Sequence, residues 1–117
     1  MYLLELYKMK DGPYYKNALT YKFYGRSFKF AVSQELFSSV GIDKGTELLL
    51  RTIAEAEYKG MSSALDIGSG YGALGMPLTA LYPEIQLTLV DRDRLAVEFS
   101  EYNLKINKIT GASYASL

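Results

Sequence analysis

The sequence predicts an α/β protein: half of a doubly wound parallel sheet, preceded by an antiparallel hairpin. Three observations carry that expectation. Two short apolar runs, residues 63–67 (SALDI) and 85–90 (IQLTLV), alternate with segments of helical periodicity, and strands separated by helices are usually parallel. The stretch ALDIGSGYGALG, residues 64–75, sets four glycines within eight residues directly after the first run. Residues 20–24 (TYKFY) and 27–32 (SFKFAV) alternate aromatic and polar side chains on either side of Gly25-Arg26, the pattern of a β-hairpin with a glycine turn.

Taken in order, residues 2–7 fit either a strand or a short helix, and the hairpin follows. Six of the eleven tyrosines lie between Tyr2 and Tyr24, so the first 33 residues differ in character from the rest. Residues 34–40 (QELFSSV) fit one helical turn or an irregular loop. Asp43 is an N-cap candidate for a helix whose expected apolar face is Leu48, Leu49, Thr52, Ile53 and Ala56, with Gly60 as its stop. Residues 63–67 then read as a short buried strand. A helix from about Ala73 to Tyr82 carries Pro77 near its first turns, where a missing donor costs least. The run 85–90 is a second buried strand ending at Asp91. A third helix over about Arg94–Asn107 offers Leu95, Val97, Phe99, Tyr102, Leu104 and Ile106 to the core. The final GASYASL begins a third strand.

At 117 residues the chain has room for one domain. Its composition, 49% hydrophobic and 22% charged, is that of a globular protein. Thirteen basic residues balance thirteen acidic ones, so net charge points to no partner. With no cysteine, a disulfide framework, a thiolate zinc site and a cysteine nucleophile are excluded. With no histidine, the commonest metal ligand and general base is missing too. No apolar run approaches the roughly 18 residues that span a bilayer. No signal-peptide pattern opens the chain, and a cytoplasmic location is expected. Internal repeats and low-complexity segments are lacking.

The glycine segment joins the carboxyl end of a strand to a helix start, the edge at which open parallel sheets bind ligands. Gly68, Gly70 and Gly72 allow a sharp turn and close approach of a ligand to the main chain. A ligand-free turn would need fewer glycines, so a nucleotide-like ligand is expected. Asp91 ends the second strand, where a carboxylate can accept from both hydroxyls of a ribose. Asp91 could instead cap the following helix, a task Asp93 could also perform. The spacing Gly70-x-Gly72-x-x-Gly75 also satisfies a dinucleotide pattern. Asp66, two residues before the first glycine, favours a different ligand: it would repel a pyrophosphate and suit the ammonium and sulfonium of S-adenosylmethionine.

Asp66-Ile67-Gly68-Ser69-Gly70-Tyr71-Gly72 resembles the D-x-G-x-G-x-G motif of class I S-adenosylmethionine-dependent methyltransferases. Upstream, Phe37-Ser38 and then Ile42-Asp43-Lys44-Gly45-Thr46-Glu47-Leu48-Leu49-Leu50 resemble the F-S…[LI]-D-x-G-T-x-L-L-L stretch of one subgroup, the small methyltransferase domain of ribosomal RNA guanine-N2 methyltransferases. The resemblance covers roughly residues 20–108. It implies a Rossmann-like class I methyltransferase fold, truncated, with an N-terminal β-hairpin. Residues 1–117 would form a single partial domain, with 1–33 as the hairpin extension and 43–117 as the cofactor-binding α/β half. It further implies that Asp66 and the backbone of Gly68, Ser69, Gly70, Tyr71 and Gly72 hold the methionine part of the cofactor. Asp91 would hold the ribose and Arg92 would lie beside the adenine. Phe37, Ser38 and Thr46 would close the pocket; Phe37 could equally be a core aromatic, and Thr46 only a helix-start residue.

The implied reaction is methyl transfer to a guanine N2 amine of ribosomal RNA, which depends on positioning more than on acid–base chemistry. In that family an Asn-Pro-Pro-aromatic motif grips the amine. Here the prolines are Pro13, Pro77 and Pro83, and none follows an asparagine. No catalytic residue is therefore assigned, and Ser116 stands only near the place of an adenine-binding residue. The chain reads as the amino-terminal half of such a domain, expected to be inactive alone and to dimerise or pair with a missing half, because its sheet would expose an edge and apolar surface. Between Lys8 and Phe30, six basic residues and one acid are interleaved with aromatics. That pattern is compatible with RNA contact, and it suits somewhat better a solvated hairpin whose lysines keep its edge soluble. Two rivals stand beside this reading: an NAD-dependent oxidoreductase half-domain, and a non-catalytic nucleotide-binding module.

Overall fold

The computed structural model describes residues 17–33 and 42–117; the expectations for residues 2–7 and 34–40 lie outside them. Strands β1 (Asn17–Phe23) and β2 (Arg26–Val32) form the antiparallel hairpin. Phe23 faces Arg26 across the ladder. The turn is therefore Tyr24-Gly25, one residue earlier than the expected Gly25-Arg26. Both turn residues have positive φ, 48° and 78°, as a two-residue turn matching the right-handed strand twist requires. Phe28, Phe30 and Val32 of β2 are buried.

Helix α1 (Lys44–Ala56) starts as expected, the Asp43 carboxylate accepting from the Thr46 N–H. It stops earlier than Gly60, at Glu57, which takes a left-handed conformation. Its buried face also differs from the expectation. Leu50 is fully buried, and Ile53 and Ala54 pack on the core beside it, whereas Leu48 and Leu49 are exposed and Thr52 and Ala56 lie on the exposed side. At about 100° per residue, Leu48 and Thr52 sit about 160° from Leu50. Three consecutive leucines cannot share one face, and the spacing 46/47, 50, 53/54 is the one that meets the core.

Strand β3 (Ser63–Ile67) leads into the glycine segment, then a short helix α2 (Leu78–Leu81). The expected helix over 73–82 is reduced to four residues. Upstream of it the chain winds in turns, with bonds from Gly72 N to Ser69 O and from Met76 N to Gly72 O. Pro77 has no N–H to donate back to residue 73, and its ring crowds the preceding turn. Strand β4 (Gln86–Asp91), helix α3 (Arg94–Ile106) and strand β5 (Ala112–Ser116) complete the order.

The sheet runs β3-β4-β5, all parallel. Its register sets Asp66 beside Leu89 and Asp91 beside Ser116. Leu87 and Leu89 join Phe28, Phe30, Leu50, Met76 and Phe99 in the core. The opposite face is open: Leu65 is 60% and Ile67 70% exposed, so the strand expected to be buried is buried on one side only, and the sheet exposes apolar surface as expected of a partial domain. Among the described residues β3 pairs only with β4, leaving its outer edge unpaired. On α3, Phe99 and Leu104 are buried as expected, but Ala96, Ser100 and Asn103 are buried where Val97 and Ile106 were expected.

Candidate functional site

A cavity of about 370 Å³ opens at the carboxyl ends of β3 and β4. The glycine segment forms its floor. The Gly68 and Ser69 N–H groups both donate to the Val90 carbonyl, at 2.8 and 3.0 Å, which anchors the loop to the end of β4. The Gly70 N–H donates to Asp91 Oδ2 at 3.0 Å, and the Gly75 N–H to Asp66 Oδ2 at 3.1 Å. The two strand-end carboxylates thus hold the two ends of the loop.

The glycines divide into two kinds. A Cβ on Gly75 would lie 2.6 Å from Leu89 Cδ2, so this glycine permits tight packing; Gly72 is required by its left-handed backbone, φ 102°, and faces only the flexible end of Met76. Gly68 and Gly70 have positive φ and nothing within 4 Å of where a Cβ would be; both line the cavity. The number of glycines therefore follows from the turn itself. The argument for a ligand rests on Gly68 and Gly70, where backbone faces open space, and on Ser69 between them. Ser69 lines the cavity, is nine-tenths buried, and its hydroxyl has no hydrogen-bond partner among the described residues. A buried hydroxyl left without a partner is costly, and a bound polar ligand would satisfy it.

The walls are acidic. Asp43, Asp66, Asp91 and Asp93 all line the cavity, and among the described residues no lysine or arginine does. Burial pushes the Asp66 carboxyl up to about 6; the Gly75 N–H opposes this shift, and the charge of Asp91 adds to it. Burial also raises the Tyr71 hydroxyl to about 12, with Asp43 contributing. Asp91 Oδ1 accepts from the Asp93 N–H at 2.9 Å, while Asp93 caps α3 by accepting from the Leu95 N–H at 3.0 Å. Asp93, not Asp91, is thus the helix cap. Each Asp91 oxygen retains acceptor capacity for a ligand.

The cavity gathers Asp66, Gly68, Ser69, Gly70, Tyr71, Asp91 and Thr46 from the sequence-predicted set. Gly72 is buried behind the loop, and Arg92 is exposed and outside the lining. Phe37 and Ser38 lie outside the described residues. Asp43 and Asp93 enter the lining although the sequence marks them only as caps, and Ala73, Leu74 and Ala96 supply apolar wall. Their caps place both aspartates at helix starts that converge on the strand ends, the signal that could have found them. No described helix is long and apolar enough to cross a membrane.

The family model of the methyltransferase small domain matches residues 27–116. A Bacillus subtilis protein described as uncharacterized protein YbxB is 30% identical over 95 residues, covering 81% of this chain and 46% of that protein. Ribosomal RNA small subunit methyltransferase C of Klebsiella pneumoniae is 41% identical over 81 residues, covering 69% of this chain and 23% of that enzyme. Among solved structures, the T. thermophilus 16S rRNA N2 methyltransferase in complex with AdoMet and guanosine superposes with a TM-score of 0.73 and 27% identity, over 86% of this chain and 27% of that one. The chain spans less than half the length of each of these relatives.

Proposed function

Because the chain belongs to the methyltransferase small domain family, we propose that it is the cofactor-binding portion of an S-adenosylmethionine-dependent methyltransferase acting on a guanine N2 amine of ribosomal RNA. The observation that carries the proposal is the cavity itself: open glycine backbone and, among the described residues, a serine hydroxyl without a partner and four wall carboxylates without a compensating cation. Such a site attracts a ligand that brings positive charge and repels a diphosphate. The dinucleotide alternative therefore lacks support in the walls, although the glycine spacing fits it.

The residues present fit an adenosine with a cationic amino-acid tail. Asp66 would face the charged tail, with Ser69 and the Gly68–Gly70 backbone offering hydrogen bonds along it. Asp91 would accept from the ribose hydroxyls, and Leu74 and Ala96 would supply apolar wall. When bound, S-adenosylmethionine supplies an activated methyl group. This chain's residues would orient the cofactor, while the grip on the target amine would come from residues it lacks, since no Asn-Pro pair is present. In this reading residues 1–117 are one partial domain, the hairpin of 1–33 joined to the cofactor half 43–117. A second half, or a second copy of the chain, would cover Leu65, Ile67 and the free edge of β3. An RNA substrate accords with a cytoplasmic location.

Calorimetry with S-adenosylhomocysteine and with NADH tests the proposal. Binding of the first with no response to the second is expected; the reverse would overturn it. Transfer of labelled methyl to undermethylated ribosomal RNA, by the chain with a segment carrying an Asn-Pro-Pro motif, tests the substrate.

A further inference from the structure

Asn103 lies on α3 and is fully buried. Its Oδ1 accepts from the Ala31 N–H at 2.8 Å, and its Nδ2 donates to the Ala31 carbonyl at 3.1 Å and to the Tyr71 carbonyl at 2.8 Å. One amide thus joins a hairpin strand to the glycine loop. Four residues on, Asn107 repeats the first half of this pattern. Its Oδ1 accepts from the Lys29 N–H at 2.9 Å and its Nδ2 donates to the Lys29 carbonyl at 2.7 Å. Four helical residues rise about 6.0 Å, and two strand residues advance about 6.8 Å. The match lets two side-chain amides stand in for the strand that would otherwise pair with the outer edge of β2. Arg26 strengthens the same seam, donating to the Asn107 carbonyl at 2.7 Å and to Thr79 Oγ1 at 3.1 Å.

The loop side of the seam is equally defined. Ser100, one turn before Asn103 and also buried, donates from Oγ to the Gly70 carbonyl at 2.8 Å. Two successive carbonyls of the loop, at Gly70 and Tyr71, are therefore held by α3. Ser100 touches only the loop in this seam and Asn107 only the hairpin, whereas Asn103 touches both. With no water access, Asn103 cannot give up one partner and satisfy the freed group from solvent.

We propose that Asn103 is a positioning residue that makes the ligand-ready shape of the glycine loop depend on the hairpin lying seated against α3. Unseating β2 frees the Ala31 end of the amide, lets it rotate, and releases the Tyr71 carbonyl. By reciprocity, a ligand that orders the loop tightens the hairpin by the same factor. The ligand side of this inference rests on the reading of the loop as a cofactor site; the coupling between loop and hairpin does not.

Amide hydrogen exchange on the full chain tests it, with Asn107→Ala as the perturbation, because that residue holds the hairpin without touching the loop. Losing the half-buried Asn107 amide's contact with Lys29 is expected to speed exchange at Ala31 by about threefold to tenfold and at Gly70 and Gly72 by a similar factor. In an Asn103→Ala background, adding Asn107→Ala should affect Gly70 and Gly72 far less than it does alone, the remaining link being the edge-on contact of the Phe30 and Tyr71 rings at 5.6 Å. Faster exchange at Ala31 with unchanged Gly70 and Gly72 in the single variant would overturn the proposal, and this comparison stands even if Asn103→Ala does not fold. In wild type, S-adenosylhomocysteine should slow Ala31 exchange, and its Kd should rise in Asn107→Ala by the factor seen at the loop. Failure of wild type to bind that ligand would count against the cofactor reading, while the ligand-free comparison would still decide the coupling.

Discussion

Replacing Asp66 by asparagine should stabilise the protein while weakening its ligand binding. The wild-type carboxyl titrates near 6 in the fold against an ordinary value of 3.8, chiefly through burial. Its folded pKa is therefore raised, so the folded state binds the proton more tightly than the unfolded state. The penalty for ionising it is absent below about pH 4, grows between about pH 4 and 6, and is complete above that. A shift of this size corresponds to at most about 3 kcal/mol, and the open cavity reduces the expected cost to about 1–2 kcal/mol. Asp66→Asn removes the charge, and its amide oxygen can still accept from the Gly75 N–H. Urea unfolding should thus find the variant about 1–2 kcal/mol more stable at pH 7.5, with the gap closing towards pH 4. Calorimetry should find S-adenosylhomocysteine binding reduced at least about tenfold, since a charge-assisted contact is lost. Wild-type affinity should itself fall about tenfold from pH 7 to pH 5 as Asp66 takes up its proton, and the variant should lose that dependence. A variant less stable than wild type at pH 7.5, with binding intact, would refute the reasoning.

Four further outcomes follow from the geometry. Gly75→Ala should cost about 1–3 kcal/mol in chemical denaturation, because the added methyl lies 2.6 Å from Leu89 Cδ2 and 3.1 Å from Asp66 Oδ2; an unchanged midpoint would contradict the packing role. Tyr24→Asn should add about 0.5–1 kcal/mol, since φ at that turn position is 48° and asparagine tolerates it better. Asp91→Asn should lower S-adenosylhomocysteine affinity about tenfold or more, because one amide oxygen cannot accept from both Gly70 and Asp93; calorimetry reads this directly. Leu65→Thr should reduce binding of a hydrophobic dye while changing stability by less than about 0.5 kcal/mol, because Leu65 stands on the open sheet face.

Much of the architecture is legible in local pattern. The strand–helix alternation, the Asp43 cap, the span 63–67 and the start of the last helix at Arg94 all follow from short-range signals, and all appear in the structure. The misreadings of burial share one cause: it is decided by partners far along the chain. Leu48 and Leu49 look like core until the sheet selects Leu50. Asn103 looks like a surface residue until β2, 72 positions earlier, supplies its hydrogen-bond partner. The glycines are visible as a cluster, but only Leu89 reveals that Gly75 serves packing, and only the backbone that Gly72 serves the turn, while Gly68 and Gly70 face the cavity. The acidity of that cavity was half legible. Asp66 and Asp91 stand out at strand ends, whereas Asp43 and Asp93 join them only because two helix starts converge there.

A crystal structure of the chain with S-adenosylhomocysteine bound tests the central claim most directly. The amino-acid tail should lie along Gly68–Gly70 with its ammonium beside Asp66 and a hydrogen bond to Ser69, and the ribose hydroxyls should reach Asp91. An adenosine bound elsewhere, or a tail held clear of both carboxylates, would contradict the account.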